Sequence, residues 1–265
     1  MSIAAKLATG ILAAVSVGML SAQEVISLTK PEDFNLPKKI VKANDAFSAK
    51  GVYSVVSAKS FTLDPAKKYQ ISGEFCQKGG KQITVLLGFA PYDAQNKQIT
   101  SSSVNAVGGT LTEVAADAKK GDKVIKVKNA SKWLTKGLVF VALNAKKDFS
   151  DLPNQNQLAT VAPHVKKNGE VWEILLKNPL AKDIAAGTPV RQQAAGSAYI
   201  YTTGVARLTD QWIARKGVIS GIAKYGNVAN KMWPGTAKVR VIILMLNANP
   251  QSEVLFRNVK VTEVK

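Results

Sequence analysis

Along most of this chain the apolar positions recur every second residue. Tyr69, Ile71, Gly73 and Phe75 alternate with Gln70, Ser72, Glu74 and Cys76; Ile125 and Val127 alternate with Lys126 and Lys128; Val259 and Val261 alternate with Asn258 and Lys260. Successive side chains of an extended strand leave on opposite faces, so this pattern predicts strands with one face buried and the other in water. Residues 83–90 and 239–246 are apolar at nearly every position and predict central strands covered on both faces. Further strands are predicted at residues 51–56, 198–206 and 212–222, between turns rich in Gly, Asn, Asp and Pro. Many short strands without a long amphipathic helix predict an all-β fold, a jelly-roll β-sandwich.

The middle of the chain reads as a β unit with its own turns. The Gly121-Asp122 pair starts a strand at Val124 to Val127, residues 137–143 are apolar throughout, and Ala186-Gly187-Thr188-Pro189-Val190 is a turn leading into another strand. Residues 146–168 are polar and predict a long surface loop. The expected organisation is a sandwich built from residues 23–108 plus 193–265, interrupted by a small β domain at 109–192. Val107-Gly108-Gly109 has the composition of a loop tip, where an insertion is tolerated.

Residues 1–22 read as a cleavable signal peptide. Lys6 supplies the positive start, residues 7–20 are free of charge, and Leu20-Ser21-Ala22 offers a small-residue cleavage site before Gln23. The apolar run falls short of the roughly 20 residues that span a bilayer, and no later segment qualifies. The expected location is therefore secreted, periplasmic or cell-surface, without a transmembrane segment. A single Cys, Cys76, cannot form an intramolecular disulfide, and export without disulfides suggests a bacterial product.

Thirty-six Lys and Arg against eighteen Asp and Glu give a formal charge of +18. Such a surface attracts polyanions, including nucleic acid, anionic lipid and uronate-rich or sulfated polysaccharide. Lysine dominates, in short pairs spread along the chain, and no RNA-binding motif, basic helix or Cys/His finger accompanies it, so no specific nucleic-acid partner is expected. A merely soluble, solvated surface is the competing explanation of the charge.

The run from Phe61 to Phe75 (Phe61-Thr-Leu-Asp-Pro-Ala-Lys-Lys-Tyr69-Gln-Ile-Ser-Gly-Glu-Phe75) resembles the early strands of jelly-roll carbohydrate-binding modules, of the family 4 and family 9 kind with a galactose-binding-like sandwich. Thr209-Asp-Gln-Trp212 followed by Gly217-Val-Ile-Ser-Gly resembles their Trp-bearing strand, and Phe256-Arg-Asn-Val-Lys-Val261 their final strand. The resemblance covers about half of the chain after residue 22. It implies the sandwich fold and sugar binding. Asn258 stands where that family has an Asp, which removes a carboxylate from the structural calcium site and leaves no cofactor expected.

Sugar recognition uses aromatic faces for the apolar side of a pyranose, with amides and carboxylates for its hydroxyls. Tyr225, Asn227, Asn230 and Trp233 supply those groups in one Gly/Pro-rich connection, residues 224–236. An aromatic before Pro-Gly is set in an extended or turn conformation that exposes it; capping one end of the core is the alternative for Trp233. Tyr92 and Asp93 form a second candidate, with a plain hairpin turn as its alternative. Tyr199 and Tyr201 share a strand face and line either a groove or a hydrophobic layer. Trp133, Trp172 and Trp212 fall at strand positions and are expected in the core, Cys76 as an unreactive, at least half-buried thiol, and His164 in solvent.

Enzyme chemistry has little to work with. There is one His, and no Gly-x-Ser-x-Gly elbow, His-Glu-x-x-His pair, P-loop or dinucleotide fingerprint. Glu74, Asp93, Asp210 and Glu253 are the carboxylates a glycosidase would draw on. The expectation is a non-catalytic protein that binds polysaccharide or glycoconjugate, with anionic glycans within its range. The alternatives are a surface or matrix adhesion protein that self-associates, and, further off, a polysaccharide lyase or glycosidase.

Overall fold

The computed structural model describes residues 23–265, so the expected signal peptide and its cleavage site lie outside the described residues. The first flank contributes strands β1 (Gln23–Ser27), β2 (Ile40–Ala43), β3 (Ala46–Lys50), β4 (Ser54–Val56), β5 (Phe61–Thr62), β6 (Lys68–Gln77) and β7 (Thr84–Tyr92). A four-residue helix, Ser101–Val104, precedes the middle strands β8 (Thr112–Glu113), β9 (Val124–Val127), β10 (Val139–Leu143), β11 (Gln157–Asn168), β12 (Val171–Leu176) and β13 (Pro189–Ala194). The second flank adds β14 (Ile200–Tyr201), β15 (Ala206–Arg207), β16 (Ile213–Ser220), β17 (Lys238–Leu246) and β18 (Glu253–Val264). The fold is all-β and sandwich-like, and every strand pair is antiparallel.

Each sheet of the sandwich draws strands from both flanks. One runs β16-β6-β18-β3-β2, with β1 also on β18; the other runs β14-β7-β17-β4, with β15 on β7 and β5 on β17. Alternation along β6 sends Tyr69, Ile71 and Phe75 inward, where they meet Val85, Leu87 and Phe89 of β7 in one hydrophobic cluster. Phe34 packs edge-on against Phe47 and Phe256 at 5.4 and 5.5 Å between ring centres, a separation that favours the T-shaped arrangement. Burying one such ring contributes roughly 1.5–3 kcal/mol. The paired strands β7 and β17 are buried on both faces: Val241 and Ile243 point into the core, while Ala90 and Ile242 are buried facing away from it.

The middle strands form a sheet ordered β8-β13-β10-β11-β12-β9. Val114 bridges Val127, Ala115 N–H donates to Lys126 O (2.8 Å) and Lys128 N–H to Glu113 O (2.9 Å), so the last strand bonds back to the first and the sheet closes. Ile125, Val127, Val141, Ile174, Leu176 and Val190 fill this small barrel with a hydrophobic cluster of its own. Gly121 holds the left-handed conformation that the turn before β9 requires (φ 98°).

Three local expectations are corrected. The polar stretch 146–168 is not loop throughout: its second half is β11, whose far end pairs with β12 as a hairpin. His164 on that strand is buried, with Thr160 Oγ1 2.9 Å from Nδ1 and Gly137 O 2.9 Å from Nε2. Residues 198–206 do not form one strand but the short β14 and the start of β15. Among the described residues no helix is long and apolar enough to cross a membrane.

Candidate functional site

The four residues of the 224–236 connection do not form one exposed surface. Trp233 is 0 % exposed and belongs to the sandwich core, its Nε1–H donating to Asn227 Oδ1 (3.3 Å). It is therefore an anchor and offers no ring face to a sugar, which corrects the loop-borne expectation. The reason is local: Met232 and Pro234 on either side are buried too, so the segment enters the core where its Pro-Gly composition suggested a surface turn. Asn230 is exposed in a left-handed turn conformation, and its carbonyl accepts from Ser220 N–H (3.0 Å). Tyr225 is exposed but stacks on Phe149 from the barrel side, with 4.3 Å between ring centres and 17° between planes.

Asp93 is committed to its hairpin, where Oδ1 accepts from Gln95 N–H (3.0 Å) and Lys97 N–H (2.8 Å). Tyr92 faces a different surface, the outer side of the β14-β7-β17-β4 sheet. Register places Tyr201, Gly88, Ile242 and Val56 in one row across its four strands, with Leu86, Leu244 and Ser54 in the next outward-facing row. On the other side of that row lie Ala90 and Arg240, followed by Tyr92 and Lys238.

This face is a recess flanked by tyrosines. Gly88, Ala90 and Ile242 face away from the inter-sheet core yet are buried, so they underlie the half-buried Leu86 and Val56 and the tyrosines and form no open floor. Gly88 has no alternative: a Cβ would lie 2.1 Å from the Ile200 carbonyl oxygen, because the β14 backbone crosses so closely. Tyr199 and Tyr201 meet edge to face at 6.2 Å along one wall. Arg240 Cζ sits 5.0 Å over the Tyr92 ring, and Lys238 Nζ donates to Asn96 Oδ1 (2.8 Å), so the end of the recess near Tyr92 is cationic.

Burial pushes the Tyr201 phenol well above the ordinary tyrosine value, and the neighbouring phenols of Tyr199 and Tyr53 raise it further. Tyr201 therefore keeps its proton at neutral pH and acts as a hydrogen-bonding group on an apolar wall. The spacing of Tyr199 and Tyr201 made that pair legible in the sequence. Tyr53 and Arg240 were missed, since only the pairing of β17 with β4 and β7 brings them to this sheet.

The tryptophans divide differently from expectation. Trp133 is buried, its Nε1–H on Thr110 O (2.9 Å), and Trp172 is half-buried against the barrel core. Trp212 is 37 % exposed, with Arg257 Cζ 4.3 Å over its ring. Of the carboxylates, Glu253 accepts from Ser48 Oγ (2.7 Å), and Glu74 accepts from Arg257 and Asn258 (2.8 and 3.0 Å). Among the described residues no group of three or more His, Cys, Asp or Glu converges as a metal site would require. The Cys76 thiol is buried, and desolvation raises it above its ordinary value.

Comparison with known protein families and with curated proteins finds no match to this chain.

Proposed function

We propose that this is an exported, non-catalytic polysaccharide-binding protein, with the glycan lying along the tyrosine-walled recess of the β14-β7-β17-β4 sheet. The observation that carries this reading is the gathering of the partly exposed Tyr199, Tyr201 and Tyr53 on one sheet face, beside the half-buried Leu86 and Val56. Aromatic walls accept the C–H face of a sugar ring, while phenols and the Arg240 guanidinium hydrogen-bond its hydroxyls. A sheet face is a rigid support, so little ordering entropy opposes binding.

The chemistry of the same recess favours binding over cleavage. A lyase base must release its proton readily, whereas Tyr201 is held protonated. A glycosidase needs two carboxylates facing one bond. Glu74 lies on the other sheet, and Asp93 is locked into its turn.

The test is affinity electrophoresis and calorimetry against a panel of neutral and acidic polysaccharides, with Tyr201→Ala and Tyr199→Ala beside the parent protein. The expected result is retardation by at least one polysaccharide, weakened about tenfold by either variant, the equivalent of ~1.4 kcal/mol. Absence of retardation by every glycan at low salt, or binding indifferent to both substitutions, overturns the reading.

A further inference from the structure

The opposite sheet carries a second surface, built from three adjacent strands. Lys216 of β16 and Lys260 of β18 both pair with Ser72 of β6, one from each side. Neighbouring strands lie about 4.8 Å apart, so the two lysine backbones stand roughly 10 Å apart with a serine hydroxyl between them. Ser72 and Lys260 alternate with buried residues and Lys216 with half-buried ones, so the two lysines are exposed and Ser72 is half-buried on the outward face. Neither lysine takes part in an ion pair among the described residues.

Two residues further along β6 the row is Ala214, Glu74 and Arg257. A bulge between Arg257 and Lys260 puts Asn258 in the left-handed conformation (φ 54°) and turns its amide onto the same face. Asn258 Nδ2–H and Arg257 Nε–H donate to the two oxygens of Glu74, and these bonds hold its carboxyl below the ordinary value. Arg257 also pairs with Asp45 and lies over the exposed Trp212 ring, so the guanidinium is fixed on three sides. These elements enclose a groove of about 420 Å³, lined by Ser72, Glu74, Lys216, Asn258 and Lys260 among others.

We propose that this groove is an oxyanion subsite for an anionic polysaccharide, with a sulfate or carboxylate of the polymer over Ser72 between the Lys216 and Lys260 ammoniums. The polymer as carrier rests on the polysaccharide-binding reading; the anion site itself rests on the groove. Two unpaired ammoniums flanking a hydroxyl match one oxyanion, because charge-assisted bonds to a shared acceptor are the stronger kind. The Glu74-Asn258 pair closes one end: its ionised carboxylate repels a second anion there and accepts bonds from sugar hydroxyls. Duplex DNA, with about one negative charge per ~1.7 Å of axis, sets more anions against the Glu74 carboxylate than the wider-spaced charges of an anionic polysaccharide do.

The experiment compares calorimetric binding of chondroitin sulfate, polygalacturonate, a neutral glucan and duplex DNA at low salt. Lys216→Gln/Lys260→Gln is set beside Lys167→Gln/Lys177→Gln, which removes equal charge from the barrel. The groove variant is expected to lose about tenfold or more for the sulfated polymer, the carboxylated polymer or both, and the barrel variant less than about twofold. The two polymers distinguish sulfate from carboxylate. Equal losses in both variants, DNA bound as tightly as either anionic glycan, or no preference for anionic over neutral polymer would each overturn the proposal. Tyr201→Ala separates the two surfaces: loss of neutral-glucan binding with the lysine-dependent increment intact tests the recess without touching the groove.

Discussion

Phe149 and Tyr225 lie flat against each other, 4.3 Å between ring centres, and join the barrel to the sandwich. Phe149 does so from a left-handed backbone (φ 67°), a conformation costly for a bulky side chain, and Arg191 Cζ lies 5.0 Å from its ring. The stack is a joint between two hydrophobic clusters, and an aromatic pair of this geometry is worth about 0.5–1.5 kcal/mol beyond its burial. A double-mutant cycle with Phe149→Ala and Tyr225→Ala is expected to return a coupling in that range. Hydrogen exchange should accelerate at the Asn154 amide, which donates to Ser103 O across the same joint (2.8 Å). Tyr225→Ala is expected to leave glycan affinity unchanged; a parallel loss of affinity would return Tyr225 to the binding surface.

The same joint holds the most deeply buried ion pair in the described residues. Arg191 Nη2 and Asp151 Oδ2 are 2.8 Å apart, with side chains 3 % and 7 % exposed. Burial alone would raise the Asp151 carboxyl, but bonds from Asn154, Arg191 and the Lys146 N–H outweigh it, and the net shift is downward. A carboxyl lowered on folding stabilises the protein above its unfolded value, about pH 3.9, and that stability drains away as pH falls through the folded value. Asp151→Asn is expected to cost about 3–5 kcal/mol at neutral pH, since it leaves a buried guanidinium uncompensated. Urea unfolding at pH 7 and pH 3 is the measurement: the parent's stability should fall more steeply than the variant's over that interval.

What could be read from the chain depended on whether a strand has one wet face. Strand β6 was legible because Tyr69, Ile71 and Phe75 are buried while Gln70, Ser72 and Glu74 meet water, and the two-sided burial of β7 and β17 was legible from their unbroken apolar runs. Strand β11 was hidden because its hairpin leaves Val161, Ala162, Pro163, Lys166 and Lys167 exposed on both sides of the buried His164, which erases the period of two. Trp233 misled because Pro-Gly marks a turn but says nothing of the depth at which the turn lies. Trp212 misled in the opposite sense, being outward at the head of β16, where Arg257 covers it. The tyrosine recess was half legible: spacing paired Tyr199 with Tyr201, but strand register, a long-range property, decided that Tyr92 and Arg240 share their sheet.

The packing of β14 against Gly88 makes a steric prediction. Gly88→Ala would drive a methyl to 2.1 Å from the Ile200 carbonyl oxygen, and the nearest atoms are all Ile200 and Tyr201 backbone, so no side chain can swing away. The edge strand β14 is expected to detach from β7, carrying Tyr201 with it. Thermal unfolding should show a loss of about 1–3 kcal/mol, the range for overpacking, accompanied by weakened glycan retention. Gly108→Ala, where a Cβ meets nothing within 4 Å, serves as the control and should leave both unchanged.

The raised Tyr201 phenol makes the last prediction, in the alkaline range. In the unfolded chain this group ionises near pH 10, whereas in the fold burial beside Tyr199 and Tyr53 keeps it protonated to higher pH. A group whose folded value is raised contributes stability that is fully present below the unfolded value and is lost as pH climbs through the folded one. The parent should therefore lose stability as pH rises past about 10, and Tyr201→Phe, which cannot ionise, should lose less over the same interval. The Phe variant keeps the ring and the wall, so a glycan held by stacking should still bind it within about threefold, well under the tenfold step of ~1.4 kcal/mol. A Phe variant that binds as poorly as Tyr201→Ala would place the recognition in the hydroxyl and remove the stacking explanation. Circular dichroism between pH 8 and pH 12, paired with retention on the best-bound polysaccharide at neutral pH, reads both halves of the prediction on one set of samples.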